Sequence, residues 1–348
     1  MCLLKESGLT SQMRLEADQA PQAVAHMLAA DAPVYAELAQ RWRDASPPSL
    51  LTVARGSSDH AAHYLAYLAM ARLGRPVSSL PMSVVTLYRA HLQAAGLWSL
   101  AFSQSGRSPD LVETSASLRA HGALTLAVVN DAASPLAQAC EFVLPLHAGP
   151  ERSIAATKSF LAQMAVGARL VATWSGDAAF AGALQRLPDA LHRAAQADWG
   201  AALPALAVAE RLFVISRGTG MGAAMEAALK LKETCNLPAE AFSGAEVQHG
   251  PMALVGPGFT ILVLAPPGPA QAGLLETAAA MRARGARVLL AAPAGTPDAE
   301  LPIETTDHED LHPIAMVQSF YPMVEALARA RGLDPDAPRH LSKVTRTV

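Results

Sequence analysis

Charged residues and cysteines are scarce in this sequence of 348 residues, and each scarcity excludes a class of protein. Charged residues make up 16% of the chain and the formal net charge is −3, which argues against a basic nucleic-acid-binding surface. The three cysteines, Cys2, Cys140 and Cys235, are widely spaced and odd in number, so they predict neither a disulfide framework nor a zinc site. No apolar run reaches the roughly 18 residues of a membrane span, and the first residues lack the pattern of a signal peptide. We therefore expect a cytoplasmic protein with no nucleic-acid or membrane partner.

Hydrophobic residues, in contrast, make up 51% of the chain, and at roughly 100–200 residues per domain the length suggests two buried cores. Short apolar runs alternate with longer periodic segments, which is typical of parallel sheets covered by helices. The predicted strands are residues 51–54, 77–80, 98–102, 124–129, 142–146, 211–215, 259–265 and 286–292. The main predicted helices are residues 14–38, 61–73, 109–121, 222–234 and 314–331.

The two halves repeat one order of elements, because a Gly- or Ser-rich turn follows the first strand of each. These turns are Arg55-Gly-Ser-Ser58 and Ser216-Arg-Gly-Thr-Gly220. We expect an α/β chain with an N-terminal helical segment (1–45), a first domain (46–175), a helical linker (176–207), a second domain (208–335) and a tail (336–348). Open α/β sheets bind ligands at the carboxyl ends of their strands, so the chemistry is expected there.

The turn after the predicted strand 98–102 concentrates hydroxyl and amide side chains. These are Ser103, Gln104, Ser105 and Ser108. Gly106 lets the backbone approach a ligand, and Pro109 suits the first position of the next helix, with Ser108 as its N-cap. Backbone N–H groups at such a helix start attract an anion. An ordinary capped turn is the alternative, but the clustering favours a phosphate site, to which Ser57 and Ser58 can contribute.

A second polar group lies on the helix predicted over 222–234. Glu226, Lys230 and Glu233 are spaced i, i+4 and i+7, so they share one face. A carboxylate that moves a proton and an ammonium that holds it suit chemistry beside a carbonyl. The alternative, which spacing alone favours, is a solvated charged face. His249, which precedes Gly-Pro in a later turn, is by itself more typical of an exposed or structural histidine than of a catalytic one.

Six motifs, taken in order, resemble one family. They are Arg55-Gly-Ser-Ser-Asp59, Ser103-Gln-Ser-Gly-Arg-Ser108, Ala155-Ala-Thr-Lys-Ser159, Ala228-Leu-Lys-Leu-Lys-Glu233, Glu246-Val-Gln-His-Gly-Pro-Met252 and Pro338-Arg-His-Leu-Ser-Lys343. Over nearly its whole length the chain resembles the sugar-isomerase (SIS) domain family. Within that family it is similar to the isomerase half of glucosamine-6-phosphate synthase and, more closely, to the stand-alone glucosamine-6-phosphate deaminases.

The resemblance implies two tandem SIS domains, each a parallel sheet flanked by helices. It implies a phosphorylated amino sugar as substrate, no cofactor and no metal, and a homodimer whose active sites are shared between subunits. The implied reaction converts glucosamine 6-phosphate to fructose 6-phosphate and ammonia by proton transfer between an aldose and a ketose.

The same resemblance assigns roles position by position. The phosphate would be bound by Ser58, Ser103, Gln104, Ser105 and Ser108, and the sugar site would be lined by Ile154 and Ala155. Glu233 would shuttle a proton between C1 and C2 beside Lys230, and Lys343 would lie near the reactive end of the sugar. His249, donated by the neighbouring subunit, would assist ring opening.

Some positions depart from the pattern of the synthase. Arg107 and Ser108 stand where it has an acidic residue and a threonine, and Ala156 stands where it has a serine; these variants resemble the deaminase branch. The synthase also has an N-terminal glutaminase domain, whose nucleophile is the cysteine directly after the first methionine. Cys2 stands at that position here. Too few residues precede the first predicted strand to hold such a domain, so we interpret Cys2 as incidental and do not expect synthesis from glutamine.

Alternative functions keep the fold and change the ligand. A deglycase or deaminase could act on galactosamine 6-phosphate or on a fructosyl-amine phosphate. A non-catalytic sugar-phosphate sensor would need the phosphate loop but not Glu233, His249 or Lys343. A metal site at His60 and His63 lacks a third ligand, one within 307–312 falls in a polar loop, and the turn 218–222 does not meet the GxGxxG spacing of a dinucleotide site.

Overall fold

A computed structural model describes residues 10–343, which leaves Cys2 and residues 344–348 of the predicted tail outside the described part. The chain begins with α1 (Gln12–Asp18), α2 (Ala20–Ala29) and α3 (Ala32–Asp44). The prediction of one helix over 14–38 was wrong. Asp31 has a left-handed φ of 56°, and Pro33, which lacks an N–H, stands in the first turn of α3, where that donor is not needed.

The first sheet has the strands β1 (Leu50–Val53), β2 (Val77–Ser79), β3 (Trp98–Ser103), β4 (Leu124–Val129) and β5 (Phe142–Pro145). All pairs are parallel, in the order β2-β1-β3-β4-β5. The helices of this half are α4 (Ser57–Leu73), α5 (Ser83–Thr86), α6 (Pro109–Ala120), α7 (Pro135–Ala139) and α8 (Lys158–Ser175).

Three helices lead to the second sheet: α9 (Ala178–Gln185), α10 (Leu187–Ala194) and α11 (Leu203–Val208). The second sheet has the strands β6 (Leu212–Ser216), β7 (Ala239–Ser243), β8 (Thr260–Leu264), β9 (Arg287–Pro293) and β10 (Leu301–Ile303). Its pairs are also parallel, in the order β10-β9-β8-β6-β7. Its helices are α12 (Met221–Cys235), α13 (Gln271–Ala283) and α14 (His312–Ala330). The predicted fold class, an α/β chain with two parallel sheets, is confirmed.

Two strands, β7 and β10, were not predicted from the sequence. Both lie at sheet edges, where one side of a strand has no neighbour to cover it. β7 is mostly half-buried and carries the exposed Glu240, and β10 is three residues long with Pro302 at its centre. Neither segment has the continuous apolar run of a strand buried on both faces.

The largest hydrophobic core is continuous across both halves. Leu50, Phe102 and Val128 of the first sheet belong to the same buried cluster as Val214 and Leu262 of the second. Helices α4 and α12 meet in this cluster. A Cβ atom at Gly222 would lie 2.6 Å from the backbone oxygen of His60, so the absence of a side chain there allows the close approach of the two helices.

No helix of the described residues is both long and apolar enough to cross a membrane.

Candidate active site

The turn that follows β3 is held in a fixed shape by the turn that follows β4. The amide of Asn130 donates to the oxygen of Gln104 at 3.1 Å, and the amide of Leu136 donates to the oxygen of Gly106 at 3.0 Å. Gly106 has a φ of +63°, and a Cβ there would come within 2.1 Å of the Ser134 Oγ atom. Only glycine therefore fits this position without rearrangement, and the hydroxyl groups around it are preorganised.

Ser108 is the N-cap residue of α6, as predicted, and Pro109 occupies the first helical turn. The Ser108 side chain makes no capping hydrogen bond within the described chain, so its hydroxyl is available to a ligand. Ser103 is already used inside the turn, where its Oγ accepts from the Gly106 amide at 3.0 Å. The N-terminal end of α6 thus presents the Ser108 hydroxyl and a positive dipole end to the same space.

These residues open onto a cavity of about 280 Å³ between the first-half turns, α12 and the C-terminal tail. Nine of the predicted site residues line it: Ser58, Ser103, Gln104, Ser105, Ser108, Ile154, Lys230, Glu233 and Lys343. Arg55, Gly56, Ser57, Ala156, Leu341 and Ser342 complete the wall. The cavity brings together residues from distant parts of the chain. In the sequence these residues belong to separate motifs.

Two predicted residues do not line the cavity. Ala155 is fully buried, and the wall at this place is made by its neighbours Ile154 and Ala156. His249 follows the 3-10 turn Glu246–Gln248 and is exposed. Its predicted role therefore requires a second subunit, and it stays a prediction.

Arg55 is a lining residue that the sequence analysis did not single out. Its Nε atom donates to the Asp110 Oδ2 atom at 2.8 Å, and Asp110 lies buried in the first turn of α6. This ion pair brings a cation, half exposed to solvent, to the helix end that faces the serines. The motif around Ser57 and Ser58 contained Arg55, but nothing in the spacing indicated that it reaches α6.

The face of α12 shared by Glu226, Lys230 and Glu233 is not a solvated charged surface. The Lys230 side chain is 1% exposed, and its Nζ atom lies 2.5 Å from Glu233 Oε2, 3.3 Å from Glu226 Oε1 and 3.1 Å from Ser57 Oγ. Glu226 is fully buried, whereas the Glu233 side chain is 21% exposed and faces the cavity. The three residues form one buried network with a single carboxylate that can reach a ligand.

Charge compensation favours the ionised forms of the two buried members, Glu226 and Lys230. Burial alone would raise the pKa of Glu226, but Lys230, His60 and Ser57 outweigh it and leave the pKa lowered. Burial likewise opposes the charge of Lys230, but Glu226 and Glu233 outweigh it, so the pKa of Lys230 is raised. His60 Nδ1 lies 3.1 Å from Glu226 Oε2, which ties α4 of the first half to α12 of the second.

Lys343 reaches the cavity from the tail and is fixed by the segment 151–159. Its Nζ atom donates to the Ser153 oxygen at 2.5 Å and to the Glu151 Oε2 atom at 3.1 Å. The buried Glu151 carboxylate also accepts from the amides of Thr157 and Ser159, both at 3.1 Å. Glu151 was not predicted, because its contact with Lys343 arises only through the fold.

The residues considered for a metal or dinucleotide site make other contacts in the structure. The His63 ring packs at a tilt against Tyr67, and the Nδ1 atom of His312 accepts from the Thr306 amide at 3.0 Å. Among residues 10–343, no three His, Cys, Asp or Glu side chains cluster as metal ligands would. The turn Gly218–Gly220 is a 3-10 turn that leads directly into α12.

Comparison with known proteins identifies relatives over both sheets. The family model of the SIS domain matches residues 45–172 and 205–301. Glutamine–fructose-6-phosphate aminotransferase (isomerizing) of Aeropyrum pernix is 37% identical over 84% of this chain and 50% of its own length. The chain thus spans about half the length of such relatives.

Solved structures show the same arrangement. A candidate phosphosugar isomerase from Silicibacter pomeroyi DSS-3 is 42% identical, with a TM-score of 0.89 over 94% of this chain and 100% of the other. Glucosamine-6-phosphate deaminase of Thermotoga maritima has a TM-score of 0.76 over 97% of this chain and 100% of the other. At 19% identity, that likeness concerns the fold alone.

Proposed function

Because this chain belongs to the SIS domain family, we propose that it is an amino-sugar-phosphate deaminase that converts glucosamine 6-phosphate to fructose 6-phosphate and ammonia. The family membership accounts for the fold. The aminotransferase and isomerase relatives support a phosphorylated sugar as the ligand. The deaminase reaction itself rests on the chemistry of the cavity.

One observation carries the proposal: a cluster of hydroxyl groups and a buried lysine–glutamate pair line the same cavity. Its volume of about 280 Å³ is close to the lower end of the roughly 300–1,000 Å³ of small-ligand sites, which suits a single phosphorylated sugar. A phosphate held by Ser103, Ser105 and Ser108 at the start of α6 leaves the sugar chain in the same cavity as Lys230 and Glu233, which also line it.

The proton transfer is assigned to Glu233 rather than to Glu226. Both carboxylates bind Lys230, but only the Glu233 side chain has measurable exposure, at 21% against 0%. In the open-chain sugar, Glu233 takes the proton from C2 and returns it to C1, while O1 gains a proton and the C2 amine loses one, so that the aldehyde becomes an alcohol and the amine an imine. Water then adds to the imine carbon, ammonia leaves, and the C2 ketone of fructose 6-phosphate remains.

Lysine side chains support the charge that develops in this sequence. Lys230 holds the Glu233 carboxylate, and Lys343, which also lines the cavity, can hydrogen-bond the oxygen that becomes negative as the proton leaves C2. Ring opening precedes these steps and is assigned to His249 of a second subunit in a homodimer.

The test of the reaction is an ammonia-release assay with glucosamine 6-phosphate, with fructose 6-phosphate measured in parallel. The proposal expects equal amounts of both products from the wild-type chain. Binding of the sugar phosphate without any product would instead indicate a sensor. Turnover of galactosamine 6-phosphate in place of the glucosamine compound would change the substrate and keep the mechanism.

The shared site is tested by mixing two inactive variants, Glu233→Gln and His249→Ala, under conditions that exchange subunits. If one site takes these residues from different chains, each mixed dimer regains one intact site, and activity returns. If both residues act within one chain, every site retains a lesion. An inactive mixture, with exchange verified by a tagged subunit, would exclude the shared arrangement.

A second candidate, a deglycase acting on N-substituted phosphosugars, is favoured by a neighbouring cavity. This cavity of about 490 Å³ lies between α12 and the tail and shares Glu233 and Leu341 with the first. Lys232 and Arg339, both on its wall, suit a substituent that carries a carboxylate. Activity on a fructosyl-amino-acid phosphate that is lost in Arg339→Gln, while glucosamine 6-phosphate turnover is unchanged, would favour the deglycase.

A further inference from the structure

Helix α1 is fixed on α14, the last helix of the second half. Ser11 Oγ donates to the Glu325 Oε1 atom at 2.7 Å, and Gln318 Nε2 donates to the Ala17 oxygen at 3.0 Å. The side chains involved are buried. α1 is therefore a rigid part of the body of the protein although it lies at the beginning of the chain.

The N-terminal end of α1 binds the start of the C-terminal tail. The two carboxylate oxygens of Asp336 accept from the amides of Gln12 and Met13, at 2.7 and 2.8 Å. These amides belong to the first turn, where a helix has unpaired N–H groups and a partial positive charge. Asp336 therefore fixes the position from which the tail runs toward Lys343.

The opposite part of α1 binds the segment that receives Lys343. Glu16 is fully buried, and its carboxylate accepts from the amides of Arg152 and Ser153, at 2.5 and 3.1 Å. The oxygen of the same Ser153 accepts from Lys343 Nζ at 2.5 Å. A closed path thus runs from α1 through Asp336 and the tail to Lys343, then through Ser153 and Glu16 back to α1.

We propose that Asp336 and Glu16 are positioning residues that set Lys343 in the active site by holding the tail and the 151–159 segment on one helix. Neither residue lines the cavity, so neither touches the substrate. The catalytic part of this inference rests on the proposed function, because Lys343 is assigned its role there. The mechanical part, the coupling of the tail to the 151–159 segment, does not.

The mechanical part is tested by amide hydrogen exchange on the full chain. Asp336→Ala is expected to speed exchange at Arg152 and Ser153 by about tenfold, the size that loss of one hydrogen bond to a charged group produces. Residue 336 does not contact these amides, so the effect must pass through α1 or Lys343. Asp18→Ala is the matched control, since within residues 10–343 the exposed Asp18 pairs with Arg14 alone. Unchanged exchange at both amides in Asp336→Ala would overturn the coupling.

The catalytic part is tested by a double-mutant cycle. Asp336→Ala is expected to lower kcat about tenfold with little change in KM, and to have no further effect in a Lys343→Met background. Asp336→Asn, which keeps one acceptor oxygen, should recover part of the activity and serves if the alanine variant does not fold. Multiplying effects in the double variant would mean that Asp336 acts elsewhere, through general stability. If the wild type releases no ammonia, the proposed function fails, and the exchange result alone decides the coupling.

Discussion

The two five-stranded sheets have the same connectivity but carry different groups at equivalent turns. In each, the first strand of the half is flanked by the second and the third, and the fourth and fifth follow the third. After the third strand of the first half comes the serine-rich turn that ends at Ser108. After the third strand of the second half, β8, comes Pro266-Pro-Gly-Pro269.

The difference between these turns is chemical rather than topological. Proline has no N–H, and the β8 turn has no hydroxyl side chain, so the turn lacks the donors that cradle an anion. Sheet topology places a ligand site at the ends of such strands in both halves, but side chains and free amides decide which one binds. Topology alone therefore predicts two phosphate sites where the chemistry supports one.

The helices that follow the first strand of each half, α4 and α12, also carry different side chains. α4 supplies Ser57, Ser58 and His60, while α12 supplies the Lys230–Glu233 pair. Because Gly222 allows α12 to approach α4, groups from the two repeats meet in one network. The second repeat lacks a serine-rich turn after its third strand and contributes the helix to which the proton transfer is assigned.

Among variants that test the separate contributions of the two repeats, Glu233→Gln is expected to lower kcat the most. The amide keeps the shape of the side chain but cannot take a proton, so kcat should fall by about 10²–10⁴-fold. Affinity for fructose 6-phosphate, measured by calorimetry, should be retained. The exposed Glu276, on α13 of the same half, provides the control variant Glu276→Gln. Full activity in Glu233→Gln would contradict the assignment of the proton transfer to α12.

The contact between the two repeats is tested next by Glu226→Gln. The variant should lose about 1.5–3 kcal/mol of stability at neutral pH, since a buried charged group loses its hydrogen-bonded partner. The lowered pKa of Glu226 means that its stabilising contribution is present above the ordinary pKa of a glutamate and is lost as pH falls through the lowered value. The raised pKa of Lys230 means that its contribution is lost only as pH rises above the ordinary range of lysine.

Thermal unfolding of both proteins across pH measures this effect. The difference in Tm between wild type and Glu226→Gln should be constant through neutral pH and shrink in strong acid. Glu240→Gln, an exposed change on β7, should leave Tm unchanged at every pH. A Tm difference that grows toward acid would contradict the assigned direction.

A smaller effect is expected from exchanging features between the two equivalent turns. Ser108→Ala should raise KM about tenfold through loss of a hydrogen bond to a charged group, without lowering Tm, because the hydroxyl makes no capping bond. Pro269→Ser, in the corresponding turn of the second half, should leave KM unchanged. Equal effects of the two changes would mean that both turns bind the ligand.

The smallest effect is expected from Arg55→Gln. Compared with Arg107→Gln, it distinguishes two arginines of the first half, of which only Arg55 lines the cavity. Its side chain is 53% exposed, so Arg55→Gln should raise KM by up to about fivefold, and less at high salt. Arg107 belongs to the phosphate turn but pairs with Asp131 and does not line the cavity. Steady-state kinetics of Arg107→Gln should therefore match wild type, and a larger effect there than at Arg55 would reverse the assignment.

Buried strands were predictable from the sequence because their apolar runs are continuous. Strand β4 was predicted with its observed limits, and β1, β3 and β8 within a residue or so at each end. The edge strands β7 and β10 were missed because half-exposed backbone does not require such runs. The break before α3 depends on the left-handed conformation of Asp31, which composition does not reveal.

Residues that line the cavity could be grouped from the sequence where they share a turn or a helix face. The serines of the β3 turn and the pair Lys230 and Glu233 are close in sequence, so spacing grouped them. Arg55, Glu151 and Glu16 were missed, because their partners Asp110, Lys343 and Arg152 lie far along the chain and become neighbours only in the fold. Spacing could not show which of Glu226 and Glu233 reaches a ligand, because both lie on the same helix face within one turn of Lys230. The difference in side-chain exposure separates them.

The hydrophobic core that continues across both sheets has a thermodynamic consequence. A tandem repeat with separate cores would melt in two steps, whereas here Phe102 and Val214 belong to one buried cluster. We expect calorimetry to record a single cooperative transition for the whole chain. The cavity lies at the junction of the two repeats, so partial melting would leave neither half with a working fragment. Cutting the gene between the halves should likewise yield two insoluble products rather than two domains.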